Sequence, residues 1–470
     1  MSRTIPLVLS LLAAAAPAWT QGTGSPNAEV RRLQQQIPAL IEAGKWAECK
    51  GALQEILKLT PDDRGTWYNL ACAEARLGEG DEAIASLNTA VEKGWFDFHH
   101  MEHDPDLDSV RKTPGFTMLL GKRGEIQRKR AERIRANLEK QMGAGFTVEE
   151  DDEDHWVIAT DMDRPTLDEV KLDLAGQARA LWNDVFTNRL DEYITIVLPS
   201  KGGDLGAAYG GGVYVHTTRL LTMRQIGMVL HHEFTHALHD SDQDALGQRH
   251  PEWICEGFAT LFESRELKDG HAVPLPNLRL NILQKAVEQK KEISWAKFFA
   301  MDQMQHTMAR MVSYPEGRYI MMYLYEKGVL KKWYAEYTAH FADDASGAKA
   351  LETVFAKPLA EIETDWRGWV KSLPTPQVGL APNQPFLGVK VKEVTEGLLV
   401  TQTVPEGGAA EAGIKAYDLI THVDGRRVVE NDALVRILAS KTVGGKLPVG
   451  IRRDGKYMTL DVPLKALPPK

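Results

Sequence analysis

The 470-residue sequence predicts a multidomain chain, with all-α helical repeats followed by an α+β unit and a β-rich C-terminal module. Three observations carry this. At roughly 150 residues per domain the length suggests about three folding units. Residues 28–95 repeat at a 34-residue offset, where Gly44, Glu48, Leu53, Ile56 and Leu57 are matched by Gly78, Glu82, Leu87, Ala90 and Val91. Between Leu373 and Pro385, Pro374, Pro376, Pro382 and Gly379 interrupt regular structure ahead of a turn-rich, apolar stretch.

Composition narrows the function classes. Hydrophobic residues make up 43% and charged residues 26%, the balance of a soluble globular protein, which excludes wholesale disorder and a multi-span membrane protein. With 56 basic against 65 acidic residues, a net charge of -9 argues against nucleic acid as a partner. Three cysteines (Cys49, Cys72, Cys255) cannot build a disulfide framework. The N-terminus reads Met1-Ser2-Arg3, then an apolar run through Leu12 and four alanines to Ala16-Pro17-Ala18. That is the pattern of a secretory signal peptide over residues 1–18, with cleavage after Ala18 and a periplasmic or extracellular destination. No later stretch approaches 18 consecutive apolar residues, so no transmembrane segment is expected in the mature chain.

Residues 28–120 pair helices at the repeat offset and include Trp67-Tyr68-Asn69-Leu70-Ala71-Cys72, and in this they resemble tetratricopeptide repeats. An unrelated pair of helical hairpins is the alternative. Residues 121–150 predict a connecting helix, whose Arg128, Lys129, Arg130, Arg133 and Arg135 alternate with glutamates and read as a solvated face. An exposed acidic turn follows at Glu149 to Asp154. Residues 151–372 form the α+β unit. Strands are expected at Trp156–Thr160, Tyr193–Leu198 and, after the Gly210-Gly211-Gly212 turn, at Val213–Val215, with a helix from about Pro165 to Thr187 and mainly helices beyond residue 222. Residues 373–384 are a linker, and residues 385–467 form the β-rich domain.

The segment that carries chemistry is Met228-Val229-Leu230-His231-His232-Glu233-Phe234-Thr235-His236-Ala237-Leu238-His239. It contains His-Glu-x-x-His in a stretch free of glycine and proline. On a helix His232 and His236 share a face, so both imidazoles can bind one Zn2+ while Glu233 reaches a metal-bound water. In a chain with 14 histidines the pattern can arise by chance, so a second signal is needed. Pro251-Glu252-Trp253-Ile254-Cys255-Glu256-Gly257-Phe258-Ala259 supplies it, placing Glu256 as a carboxylate to complete the set.

These two segments resemble the gluzincin, thermolysin-like zinc metallopeptidases, and the likeness in layout extends over about residues 155 to 370. It implies a zincin-like fold, His232, His236 and Glu256 as metal ligands, Zn2+ as cofactor and Glu233 as general base. Tyr314, in Ser313-Tyr314-Pro315-Glu316-Gly317, resembles an oxyanion-donating tyrosine found in related domains, with packing as the alternative. Those enzymes carry an aspartate four residues beyond the glutamate ligand, where this chain has Thr260. His231 and His239 flank the motif without fitting it, and Cys255 should point away from the site.

Residues 385 to 465 resemble a PDZ domain of bacterial envelope proteases, on Pro385-Phe386-Leu387-Gly388-Val389, Pro405-Glu406-Gly407-Gly408-Ala409-Ala410, Val423-Asp424-Gly425 and Arg452-Arg453-Asp454-Gly455-Lys456. The resemblance implies capture of an extended peptide by β-addition, with Phe386, Leu387 and Gly388 at the carboxylate-binding loop. A structural PDZ-like domain with a closed groove is the alternative. Together these features predict an exported zinc-dependent peptidase acting on peptide or protein substrates, with repeats and PDZ domain as recognition modules. The alternative is a catalytically inactive zinc-binding scaffold that captures peptides or proteins.

Overall fold

The computed structural model describes residues 28–200, 212–223 and 225–468. The expected signal peptide, Gly210 and Gly211 lie outside these.

The chain is multidomain, with a helix-rich N-terminal region and a β-rich C-terminal domain. Helices Ala28–Glu42, Trp46–Leu59, Arg64–Leu77 and Gly80–Glu92 form two hairpins. The 34-residue offset has a physical basis here. Leu53 and Leu87, Ile56 and Ala90, and Leu57 and Val91 are all buried, each at the same place in its hairpin. Gly44 and Gly78 both take positive φ (66° and 80°) where a helix ends, a conformation that spares glycine the Cβ penalty.

Helix Arg123–Met142 leads into a five-stranded sheet of order β1-β2-β3-β5-β4. Its strands are β1 Thr147–Asp151, β2 Trp156–Thr160, β3 Ile194–Leu198, β4 Gly212–Val215 and β5 Leu220–Met223. The inner pairs β2/β3 and β3/β5 are parallel, whereas β1 and β4 run antiparallel on the two edges. Two expectations differ from this. Residues 149–151, expected in an acidic turn, belong to edge strand β1, where Lys171 pairs with both Glu149 and Asp151. Arg130, expected on a solvated face, lies over the Phe96 ring and donates to the Tyr193 and Thr218 carbonyls, tying the connecting helix to the sheet.

Beyond β5, helix Met228–Leu246 crosses the sheet. Its buried Leu230, Phe234, Ala237 and Leu238 recur at helical spacing and face the core, which leaves His232, Glu233 and His236 on the opposite side. Burial of each large apolar side chain contributes roughly 1.5–3 kcal/mol. Gly247, at φ 64°, ends the helix. Helix Glu252–Phe262 follows, then the hairpin β6 Arg265–Lys268 and β7 His271–Pro274, and further helices that include Arg310–Glu326. Trp253, Trp295, Trp333, Trp366, Tyr319 and Tyr334 fill the core behind the site.

The C-terminal domain has its own core, centred on Leu398, Val400, Ile420, Val423, Val449 and Ile451. A short pair, β8 Pro385–Phe386 with β15 Lys465–Ala466, closes its ends. The main sheet runs β14-β13-β11-β10-β9, with β12 paired to β11. Its strands are β9 Val389–Val394, β10 Gly397–Thr403, β11 Leu419–Val423, β12 Arg426–Arg427, β13 Lys446–Arg453 and β14 Lys456–Pro463, and helix Asn431–Ala439 covers one face. Both expected Asp-Gly hairpins are present, with positive φ at Asp424 and Gly425 and at Asp454 and Gly455.

Candidate active-site cleft and peptide groove

The cleft on the outer side of helix Met228–Leu246 has a volume of about 600 Å³ and is lined by His232, Glu233, His236, Glu252, Glu256 and Tyr314, among others. The structure therefore brings together every residue expected in the central site. His232 Nε2 lies 3.2 Å from His236 Nε2. Glu256 places one oxygen 3.4 Å from His232 Nε2 and the other 3.5 Å from His236 Nε2. Two donors sharing one tetrahedral ion at about 2.1 Å would be about 3.4 Å apart. Glu256 Oε2 is buried and accepts no hydrogen bond. An imidazole pair and a carboxylate at these separations are a donor set able to hold a divalent cation.

The surrounding residues orient these donors. His232 Nδ1 lies 3.2 Å from Glu263 Oε2. Glu263 in turn accepts from Asn277 Nδ2 at 2.8 Å and from Arg279 Nε at 2.6 Å. Burial alone would raise the Glu263 carboxyl, but His232, Arg279 and Arg318 hold it at about 2. Burial would likewise lower His232, and the carboxylates of Glu256 and Glu263 outweigh it, raising the imidazole to about 10. Glu256 also ends below its ordinary value, because the two imidazoles overcome its burial. Glu263 was not expected from the sequence. It follows Glu256 by two helical turns on the same face, a spacing that could have revealed it. Thr260, which stands at the position the resemblance reserves for an aspartate, instead donates to the Glu256 carbonyl at 2.6 Å.

Glu233 Oε2 accepts the Tyr214 N–H of β4 at 2.8 Å, which fixes that carboxylate against the edge strand. Gly212 allows the approach, because a Cβ there would come within 2.7 Å of Val229 and 3.3 Å of Glu233. Tyr314 reaches the cleft from helix Arg310–Glu326. Burial and then the charges of Glu256 and Glu252 push its phenol above the ordinary value, so it is protonated. Glu252, also absent from the sequence-based set, is pushed up to about 7 by burial and by Glu256. The flanking histidines stay out of the donor set. His231 Nε2 pairs with Asp173 at 2.7 Å, and His239 is buried against Phe186 with its Nε2 2.9 Å from His250. Cys255 turns its thiol to the His250 carbonyl.

A second group, His216, Asp240 and Asp244, also has metal-ligand composition. The Arg219 guanidinium already lies among these carboxylates, 2.8 Å from Asp240 and in contact with Asp244. With Arg249 2.5 Å from Asp244 as well, guanidinium groups of the protein already occupy the space between these carboxylates.

In the C-terminal domain, Phe386 pairs with Lys465 in the short β8/β15 ladder. The Leu387 side chain is buried in the domain core, so only its backbone can meet a peptide. Gly388 has φ +84°, and a Cβ there would come within 3.0 Å of Gly407.

The family model for the PDZ domain matches residues 385–464. Residues 385–464 form a PDZ domain. Among similar proteins, periplasmic serine endoprotease DegP of Escherichia coli (strain K12) is 37% identical over 73 residues, which span 16% of this chain and 15% of DegP. Serine protease Do-like HtrA of Lactobacillus helveticus is 31% identical over 134 residues, 26% of this chain and 32% of that protein. Of solved structures, the HtrA3 PDZ domain bound to a phage-derived ligand is 19% identical at TM-score 0.17 and covers 18% of this chain and 88% of that one. HtrA-type protease AlgW with tripeptide is 23% identical at TM-score 0.18, covering 18% and 33%. The chain thus spans 15% to 32% of the length of these two curated relatives.

These relatives are serine proteases, and that finding corrects the expectations of a gluzincin, of a zinc-dependent peptidase or zinc-binding scaffold, and of Zn2+ as cofactor. Among the described residues, no serine hydroxyl is hydrogen-bonded to an imidazole.

Proposed function

We propose that this chain is a peptide-capturing hydrolase, in which the PDZ domain recruits a peptide or protein and the central cleft acts on it. The observation that carries this is the convergence of His232, His236 and Glu256 beside the Glu233 carboxylate and the Tyr314 phenol in one large cleft. In this reading His232, His236 and Glu256 would hold a divalent cation, which would supply positive charge to polarise a carbonyl oxygen. Glu233, anchored through Oε2, offers its other oxygen to take a proton from the attacking group. Tyr314 donates its hydroxyl to the oxyanion that develops. Glu263 holds the His232 ring in place. In the PDZ domain, Phe386, Leu387 and Gly388 present backbone to the carboxylate of an extended peptide. The helical repeats offer a further surface for a protein partner. Export to the periplasm is supported by the likeness to the periplasmic serine endoprotease DegP, and among the described residues no helix is long and apolar enough to cross a membrane.

The test is cleavage of a mixed fluorescent peptide pool by the full chain, comparing wild type with Glu233→Gln and with protein treated with a serine-directed organophosphonate. The proposal expects Glu233→Gln to reduce turnover by about 10³-fold or more and the organophosphonate to have no effect. Turnover that survives the substitution and is lost to the organophosphonate overturns it.

A further inference from the structure

The first residue of the site helix is held from outside its own domain. Gly227 precedes the helix, has no side chain with which to satisfy a first-turn amide, and forms no local cap. The acceptor comes from the PDZ domain: Glu430 Oε1 takes the Met228 N–H at 2.6 Å, from 202 residues away in the chain. The fit is close, since a Cβ on Gly227 would come within 2.0 Å of that oxygen. The residues just before are bound the same way, with Ile226 N–H donating to the Thr395 carbonyl at 3.1 Å and Gln225 Nε2 to the Val429 carbonyl at 3.4 Å. Val429 is buried in the central core together with Ile226.

We propose that Glu430 is a positioning residue for the cleft, so that the PDZ domain is a built part of the site as well as a capture module. The inference rests on the reading of this cleft as the working site. A carboxylate at a helix N-terminus satisfies an otherwise orphaned amide and is favoured by the helix dipole. Met228 lies one turn before His232 on the same face, so fixing Met228 fixes the height at which the His232 imidazole enters the cleft. Glu430 immediately precedes helix Asn431–Ala439, and Thr395 immediately follows β9. Asn431 N–H donates to Glu393 Oε1 at 2.8 Å, which joins these two elements at the end where they meet the site helix. A shift between β9 and that helix is therefore transmitted to the turn that carries His232.

The experiment is hydrogen exchange on the full chain, followed at the amides of residues 228–232, with Glu430→Ala, Glu430→Gln and Gly227→Ala. Gly227→Ala attacks the same contact from the other side, since the new methyl must displace the carboxylate. Glu430→Ala and Gly227→Ala should each speed exchange there by about tenfold, the double variant by no more than either alone, and Glu430→Gln, which keeps an acceptor oxygen, by much less. In a peptide-cleavage assay, Glu430→Ala should lower kcat with KM little changed. Exchange within twofold of wild type in both single variants overturns the proposal. So does a rise spread evenly over the whole PDZ domain with no rescue by Glu430→Gln, the signature of a merely structural contact. The exchange readout needs no turnover, so a chain that cleaves nothing yet shows the local effect removes the hydrolase reading and leaves this one standing.

Discussion

His236 and Asp240 lie one turn apart on the same helix, yet the clusters they belong to are balanced in different ways. Around Asp240, the buried Arg219 guanidinium is shared by Glu192, Asp240 and Asp244, and Arg249 adds a second permanent cation 2.5 Å from Asp244, so guanidinium charge already lies among these acids. Around His236 no guanidinium is paired with Glu256 among the described residues: two imidazoles and that carboxylate face one another, and Arg279 is held behind them on Glu263, which braces His232. Composition alone makes the two clusters equivalent. What separates them is whether a guanidinium, which cannot give up its proton, already sits among the donors; an imidazole can lose its proton to make way for a cation.

The largest effect should come from removing the built-in charge. Arg219→Met strands buried carboxylates and should cost about 3–5 kcal/mol in urea denaturation. A loss below about 1 kcal/mol would mean that the guanidinium is not what balances this cluster. Next is the response to a divalent ion. With Ni2+ as the probe at a free concentration 100 times its Kd, wild type should gain about 2.7 kcal/mol of unfolding free energy and His236→Ala essentially none. If Asp244→Asn abolished the gain and His236→Ala kept it, the assignment of the two clusters would be reversed.

Glu263→Ala sharpens the contrast further, because it removes the brace without touching a donor. It should weaken Ni2+ binding roughly 10- to 100-fold in calorimetry, whereas Thr260→Val should stay within about twofold of wild type.

The smallest effect concerns a group whose compensation titrates. His99, nearly buried, lies 3.0 Å from Asp191, where the N-terminal helices meet the central unit. Burial lowers its pKa, but Asp191 and Glu102 raise it more, to about 9. Its folded value lies above the ordinary 6.5, so its stabilisation is complete below that pH and lost as pH rises through about 9. His99→Gln should therefore flatten the stability profile between those limits by about 1 kcal/mol, since Asp191 is partly exposed.

Much of this was legible in the sequence, and the exceptions have physical causes. His232, Glu233, His236 and Glu256 could be read because helical spacing alone puts the first three on one stretch and a second short motif marks the fourth. Gly44 and Gly78 exposed the repeat because a helix end needs the same backbone conformation each time. The acidic run at 149–151 concealed β1, since an edge strand with a solvated face tolerates charges that a central strand would not. Leu220–Met223 is four buried residues, too few to display a period. Glu263 escapes the pattern because it stands at the C-terminal end of its helix, beyond Thr260, and meets the site only through His232 Nδ1, a contact between two helices. Glu430 could not be found by any local pattern: its contribution depends on the docking of two domains whose contact includes Val429 in the central core.

The same docking changes the meaning of the proline-rich stretch between Leu373 and Pro385. By composition it is a hinge, with Val378 exposed, but the surfaces it joins are fastened elsewhere, through Val429 in the central core and the Arg452 pair with Asp163. A protease that nicked this stretch would sever the covalent thread and still leave the two fragments travelling together through a sizing column. A chain ending at residue 384 would instead bare the apolar seat of Val429 to water, and should clump rather than behave as a trimmed version of the whole.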